Sequence, residues 1–345
     1  MRPDFDFPFL AELVRTPGLP GRENLVADCI TAALPASWEL ERDPLGNLLA
    51  RRPNPGPNWM LVSHMDEVGL IVRRITPEGF LLVERLGGIS LRALPGSRLT
   101  LWTQNGPFPA QAGSLPAHLD PGASQAWDSV YLDIGANSRK QAESLGVRIG
   151  DGLTWASELT AQADGRLVGK ALDDRLGCAA LVSLAHALSD AGLKVDLTLA
   201  FVVQEETMLM GGLPAVNIRQ PDVIVGVDGT LAFDTPDTRG QQSEIVLGAG
   251  PAIKWMDAIR GKMAAFVPDL ALAQHFRSVA GELGLPVQDE VVSGISTAVT
   301  PLPYAGRGAR TAALSLPIRY HHTPVETADQ RDFIALIQLL TALVT

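Results

Sequence analysis

The chain has only two cysteines, Cys29 and Cys178, in 345 residues. Two thiols make no disulfide framework, so a reducing compartment is expected, and Cys178, set in an apolar run, reads as a small core residue. No stretch approaches the roughly 18 apolar residues that span a bilayer. Met1-Arg2-Pro3-Asp4-Phe5-Asp6 puts acids where a signal peptide has a basic and then an apolar region. These absences predict a cytoplasmic protein. Basic charge is also in deficit: 28 Lys and Arg stand against 38 Asp and Glu, a net charge of −10. A nucleic-acid binder normally carries a basic face. An acidic field is compatible instead with metal cations and with substrates bearing a free amine. Internal repeats and low-complexity tracts are absent as well.

Apolar residues make up 46% of the chain and charged residues 19%, enough to bury a large core. The length predicts about two domains. Helices are expected over Phe7 to Arg15 and from Glu23 to Leu34, and a hairpin around Pro44-Leu45-Gly46. Met60 to Ser63 reads as a buried strand. From 68 to 165 short β-rich runs alternate with Gly/Pro turns (Leu70-Ile71-Val72, Phe80 to Val83, Arg98 to Trp102, Val130 to Ile134), with helical spacing only near Ser138 to Leu145. This predicts an inserted β-barrel or sandwich. After 166 a βα rhythm returns. Helical spacing marks Asp174 to Leu188, Leu270 to Leu283 and Ala328 to Val344. Continuous apolar strands mark Asp196 to Val203, Val223 to Val227 and the region of Leu314. Such strands between helices imply a sheet buried on both faces. The expected division is therefore a mixed α/β unit from 1–67 and 166–345, interrupted by a β-rich insert at 68–165.

Chemistry gathers at strand ends. His64-Met65-Asp66-Glu67 follows the buried strand, Glu205-Glu206 follows the strand ending at Val203, Asp228 ends the Val223 strand, and His321-His322 follows the Leu314 strand. Asp173-Asp174 opens a helix. In open α/β sheets ligands bind beyond the carboxyl ends of the strands, so these five segments can converge. Together they offer enough N and O donors for two cations sharing one water. Taken singly, each has an ordinary reading. Asp173-Asp174 can be a helix cap, Glu205-Glu206 a solvated face, Asp228 a turn residue, and His64 and His321-His322 structural or loop histidines. The common order and strand-end placement favour a site. His118, His186 and His275 lack carboxylate companions, Trp255 and Met256 read as packing, and Arg51-Arg52 and Arg73-Arg74 read as solvated pairs.

Four segments carry a family resemblance: His64-Met65-Asp66-Glu67-Val68-Gly69, Gly169-Lys170-Ala171-Leu172-Asp173-Asp174-Arg175, Gln204-Glu205-Glu206, and Arg319-Tyr320-His321-His322-Thr323-Pro324-Val325-Glu326. They resemble the tetrahedral (TET), glutamyl-aminopeptidase-like co-catalytic metallopeptidases, some of whose members carry an endoglucanase name. In the insert, Ala112 to Leu119 and Tyr131 to Ala136 match the family's second domain. The resemblance implies a mixed-sheet aminopeptidase-type catalytic domain with an inserted dimerisation domain. It implies two divalent ions per subunit (Zn, Co or Mn), bridged by Asp173, with His64 and Asp228 on one and Glu206 and His322 on the other. Glu205 would be the general base. Asp66 would accept the second N–H of the His64 ring. The Asp173–Asp174 peptide would be cis. His322 is favoured over His321 because Thr323-Pro324 follows it. Short peptides would be the substrates, with neither nucleic acid nor membrane as partner, and dimers would assemble into a hollow tetrahedral dodecamer.

Two segments depart from the family pattern. Val-Gly-x-Arg-Gly after the Glu pair is replaced by Thr207-Met208-Leu209-Met210-Gly211, and Gly-Gly-Thr-Asp-Ala by Gly294-Ile295-Ser296-Thr297-Ala298. Both are expected beside the substrate pocket. Two rival functions follow. One is a deacylase or carboxypeptidase on the same metal core, using Arg319 or Lys170 to hold a substrate carboxylate. The other is a catalytically weak assembly or binding protein of the same fold. A glycosidase would leave the histidines unexplained.

Overall fold

The structure is a computed structural model describing residues 5–116, 118–119, 126–259 and 265–345. Met1–Asp4 and Ala117, used above, lie outside them. In chain order the strands outside the barrel are β1 (Glu39–Arg42), β2 (Leu48–Arg52) and β3 (Asn58–His64), followed after the barrel by β10 (Thr160–Ala161), β11 (Arg166–Gly169), β12 (Asp196–Val202), β13 (Val223–Leu231), β14 (Ala252–Ala258), β15 (Ala265–Phe266), β16 (Gln288–Val291), β17 (Arg310–Ile318) and β18 (Glu326–Asp329). The barrel strands are β4 (Gly69–Ile75), β5 (Leu81–Leu86), β6 (Arg98–Thr103), β7 (Gly106–Ala112), β8 (Tyr131–Asp133) and β9 (Gly152–Trp155). The helices are α1 (Phe7–Arg15), α2 (Asn24–Ala33), α3 (Arg139–Ser144), α4 (Leu172–Ala187), α5 (Glu205–Met208), α6 (Leu213–Arg219), α7 (Leu270–Leu283) and α8 (Gln330–Val344).

Local chemistry sets the helix boundaries. Asp6 accepts the Phe9 N–H at 2.9 Å to start α1, and Asp269 accepts the Leu272 N–H at 2.8 Å to start α7. Gly284, with φ at +65°, closes α7 in the left-handed conformation that glycine adopts without a Cβ clash.

Among the described residues, one mixed sheet runs β1-β2-β12-β3-β13-β17-β14-β15, with β16 beside β14. Its centre, β12-β3-β13-β17, is parallel. Alternation along β3 sends Leu61 to one face and Met60 and Val62 to the other. The first face packs on α1, α2, α4 and α8 through residues such as Leu10, Val26, Leu181 and Leu336. The second packs on Val216, Val299 and Leu302. A sheet covered on both faces needs unbroken apolar strands, which is why β3, β12 and β13 carry them.

The six antiparallel strands β4 to β9 close a barrel in the order β4-β5-β8-β7-β6-β9. It has its own core around Leu70, Leu81, Leu101, Leu132 and Leu153. The fold is thus mixed α/β with an inserted β-barrel. Within the sheet, β3 is flanked by β12 on one side and β13 on the other, so the chain crosses β3 between the two. That is a topological switch point, where a crevice opens beyond the strand ends. Arg51 and Arg52 are not a solvated pair. Arg51 binds Asp196 at 2.6 and 3.0 Å, and Arg52 donates to the Leu188 and Ala191 carbonyls, which holds β2 to the chain around β12. No helix among the described residues is long and apolar enough to cross a membrane.

Candidate metal centre

The crevice at the switch point collects the expected groups. His64 is the last residue of β3, Asp228 lies on neighbouring β13, and Glu205 and Glu206 open α5 just beyond β12. Register pairs Gly226 with Val62, so two residues further along each strand Asp228 comes beside His64. Asp173 stands between two flanks. Its Oδ1 is 3.3 Å from His64 Nε2, and its Oδ2 is 3.4 Å from His322 Nε2. On the first flank, His64 Nε2 is also 3.7 Å from Asp228 Oδ1. On the second, His322 Nε2 is 3.3 Å from Glu206 Oε1. Gly229 is required here, since a Cβ at that position would lie 3.0 Å from Asp173 Oδ1. The Asp173–Asp174 peptide is cis.

Asp66 acts on two neighbours. Its Oδ1 lies 3.4 Å from His64 Nδ1, longer than a good hydrogen bond. Its two oxygens accept the backbone N–H groups of Glu205 and Glu206 at 3.0 and 2.9 Å. A buried carboxylate thereby anchors the turn that presents both glutamates.

Further residues join the site around the expected ones. Glu326 on β18 is buried and accepts the Asp173 N–H at 3.1 Å and the His322 N–H at 2.7 Å, tying the bridge position to the histidine loop. Asp174 caps α4 through the Gly177 N–H at 3.0 Å and accepts the His64 N–H at 3.2 Å, so its cap role and a place at the site coexist. His321 lies at the site beside His322, with Nδ1 3.1 Å from Asp173 Oδ2. Finally, the Gly88 carbonyl, in the loop after barrel strand β5, accepts from His322 Nδ1 at 3.1 Å. A main-chain acceptor leaves no sequence signal beyond the glycine itself. That glycine matters, because a Cβ would lie 2.8 Å from His322 Nδ1.

The electrostatics call for cations. Burial pushes Asp228 up to about 7, with His64 opposing and Asp173 adding to the rise. Burial likewise raises Glu326 to about 7, and Glu205 and Asp174 well above the usual carboxylate range. Burial opposes ionisation of Asp173 too, but His321, His322 and His64 hold it well below that range. His64 and His322 are raised against their burial by the same acids, chiefly Asp173 for His64 and Glu206 for His322. So many buried acids in one crevice are costly unless a cation joins them. Glu206 Oε1 and His321 Nε2 are buried without a hydrogen-bond partner, as ligand atoms awaiting an ion would be. Among the described residues, three overlapping groups have ligand atoms within 4.8 Å of one another: His64 with Asp174 and Asp228, His64 with Asp173 and Glu206, and Asp173 with His321 and His322. Nitrogen and carboxylate oxygen are the donors that zinc-like ions take.

The cations proposed for rival substrates are already engaged. Lys170 is buried against Glu67 at 2.7 Å, and Arg319 clamps Asp234 at 2.6 and 2.7 Å. Trp255 packs over Arg277 and donates to Asp289 at 2.6 Å, away from the crevice lining.

Comparison with known proteins places this arrangement in context. A family model described as M42 glutamyl aminopeptidase matches residues 46–339. The putative aminopeptidase SgcX of Escherichia coli (strain K12) is 36% identical over 343 residues, covering 97% of this chain and 92% of its own. Among solved structures, aminopeptidase APDkam598 from the archaeon Desulfurococcus kamchatkensis superposes with a TM-score of 0.93 at 29% identity, covering 98% of this chain and 93% of that one. The Pyrococcus horikoshii TET1 peptidase, which can assemble into a tetrahedron or a large octahedral shell, superposes with a TM-score of 0.87 at 28% identity, covering 97% of this chain and 98% of that one.

Proposed function

The chain belongs to the M42 glutamyl aminopeptidase family, and from that premise we propose that it is a dinuclear metal-dependent aminopeptidase removing N-terminal residues from short peptides. Asp173 would be shared by two ions, with His64 and Asp228 holding one and Glu206 and His322 the other, and Zn, Co or Mn would suit these donors. The observation that carries this reading is the Asp173 carboxylate, whose two oxygens face different histidines at 3.3 and 3.4 Å. When bound, the ions polarise the scissile carbonyl and make water acidic enough to attack at neutral pH.

The chain's own residues supply the rest. Glu205 takes the proton from the attacking water and returns it to the leaving amine. Burial raises its pKa well above the ordinary range, which brings a carboxylate toward the working pH of a general base. Asp66, through the Glu205 and Glu206 amides, sets where that carboxylate points. The engagement of Lys170 by Glu67 and of Arg319 by Asp234 weighs against a carboxypeptidase or a deacylase of N-acyl amino acids, which must hold a free substrate carboxylate. The full donor set weighs against a binding protein that merely keeps the fold.

The stretch 68–165 serves as the dimerisation domain of the catalytic unit 1–67 and 166–345. Dimers assemble into a hollow tetrahedral dodecamer that admits short peptides. Support comes from the likeness to the TET1 peptidase. The free thiols Cys29 and Cys178 agree with a cytoplasmic location. Light scattering checks the assembly, and a monomer would remove the enclosure argument. The chemistry is tested by aminoacyl-amide hydrolysis with added Zn, Co or Mn. Turnover that a chelator abolishes is expected, and no turnover with any metal or substrate would contradict the reading.

A further inference from the structure

The crevice beside Asp173 encloses about 840 Å³, within the ~300–1,000 Å³ usual for small-molecule sites. One wall is the acid and histidine cluster. A second, uncharged wall comes from three segments: Met208 and Leu209 where α5 ends, Ile259 just after β14, and Ile295 and Ser296 in the loop after β16. None of these side chains is charged. Both segments in which this chain departs from its family's pattern, Thr207 to Gly211 and Gly294 to Ala298, thus contribute to one surface. Met208 is 63% exposed, apolar area that a bound side chain would remove from water.

Two acids on β14 and β16, the strands that lead into this wall, are already bonded. Asp257 accepts the hydroxyls of Thr297 and Thr300 at 3.2 and 3.4 Å. Glu290 accepts from Thr230 at 2.7 Å and from Lys254 at 2.8 Å. Among the described lining residues the one Lys or Arg is Arg85, on barrel strand β5, and its guanidinium lies 5.5 Å from the centre of the Trp127 ring, a cation–π contact with the barrel. A charged side chain seated on this wall would meet Met208, Leu209, Ile259 and Ile295, none of which can pair with it, which is costly once water is displaced.

We propose that this wall selects peptides whose first residue is apolar, of the leucine, methionine or phenylalanine kind, rather than lysine or glutamate. The inference rests on the aminopeptidase reading above. Ile295 and Met208 are the specificity-determining side chains.

The test is a panel of leucyl, methionyl, phenylalanyl, alanyl, lysyl and glutamyl amides with the metal-loaded full chain, alongside calorimetric binding of free leucine, lysine and glutamate. For leucyl, methionyl and phenylalanyl substrates kcat/KM is expected to exceed that for lysyl and glutamyl by ~10-fold or more. Ile295→Asp, and separately Met208→Glu, should shrink the leucyl-to-lysyl ratio by a similar ~10-fold, while Arg85→Ala leaves the leucyl-to-glutamyl ratio unchanged. A preference for lysyl or glutamyl amides overturns the inference and leaves the aminopeptidase reading standing. Failure to hydrolyse any of the six overturns that reading. Calorimetry then still decides the wall's preference: leucine binding most tightly, and losing that lead in Ile295→Asp, supports it, and equal or tighter binding of lysine or glutamate overturns it.

Discussion

The two flanks of Asp173 are built differently. On one, His64 and Asp228 stand on adjacent parallel strands of the central sheet, and the His64 side chain is 1% exposed. Their positions follow from strand register, so the core that holds β3 against β13 also holds the two side chains together. On the other flank, His322 sits in the loop after β17 with its side chain 25% exposed, and Glu206 sits on the four-residue helix α5. Loop residues lack register, and individual hydrogen bonds replace it here: Glu326 to the His322 amide, the Gly88 carbonyl to its ring, and Asp66 to the Glu206 amide. One flank thus inherits its geometry from the fold, whereas the other is assembled from separate tethers, one of which comes from the inserted barrel. Ion binding should therefore be more easily weakened on the second flank than on the first.

Asp173→Asn removes the group shared by both flanks and is expected to have the largest effect. Activity should fall by well over the ~10–100-fold typical of residues behind metal ligands, and mass spectrometry should find both ions lost or weakened together. Glu205→Gln should spare both flanks, keeping bound metal while kcat falls ~10²–10⁴-fold. Wild-type turnover in that variant would remove Glu205 as the base. Glu326→Ala leaves the buried amides of Asp173 and His322 without their acceptor. It should weaken the His322-side ion by ~10–100-fold in a metal titration and the His64-side ion less, because the shared Asp173 loses one tether whereas His322 loses its own as well. Equal weakening of both would erase the distinction between the flanks. Gly88→Ala pushes a methyl against the His322 ring and should act on the same ion more mildly, toward the ~10-fold end of that range. An unchanged titration would show that the barrel contributes no tether.

The same contrast governs what could be read from sequence. An apolar strand followed by His64, or ended by Asp228, announces both the element and the place of the side chain. The strand-end places of those residues, most helices and a β-rich insert were legible, though not whether the insert closes into a barrel, and α1 and α7 run over the expected residues. Neither Glu326 nor the Gly88 carbonyl was given a role at the site, and Asp174 entered only as half of the Asp173-Asp174 pair. Their roles depend on which loops meet in space, and neither periodicity nor spacing encodes that. Choosing between His321 and His322 met the same limit, since both imidazoles reach Asp173 Oδ2, at 3.1 and 3.4 Å. The misread Arg51-Arg52 pair has a related cause. Adjacent arginines look solvated until the partners that β12 and its preceding loop bring up are known.

The most direct test of the shared-carboxylate arrangement is anomalous diffraction from crystals of the full chain grown with zinc. Two peaks are expected, one on each side of Asp173, the first contacted by His64 and Asp228 and the second by Glu206 and His322. A single peak, or zinc bound away from Asp173, would contradict the arrangement.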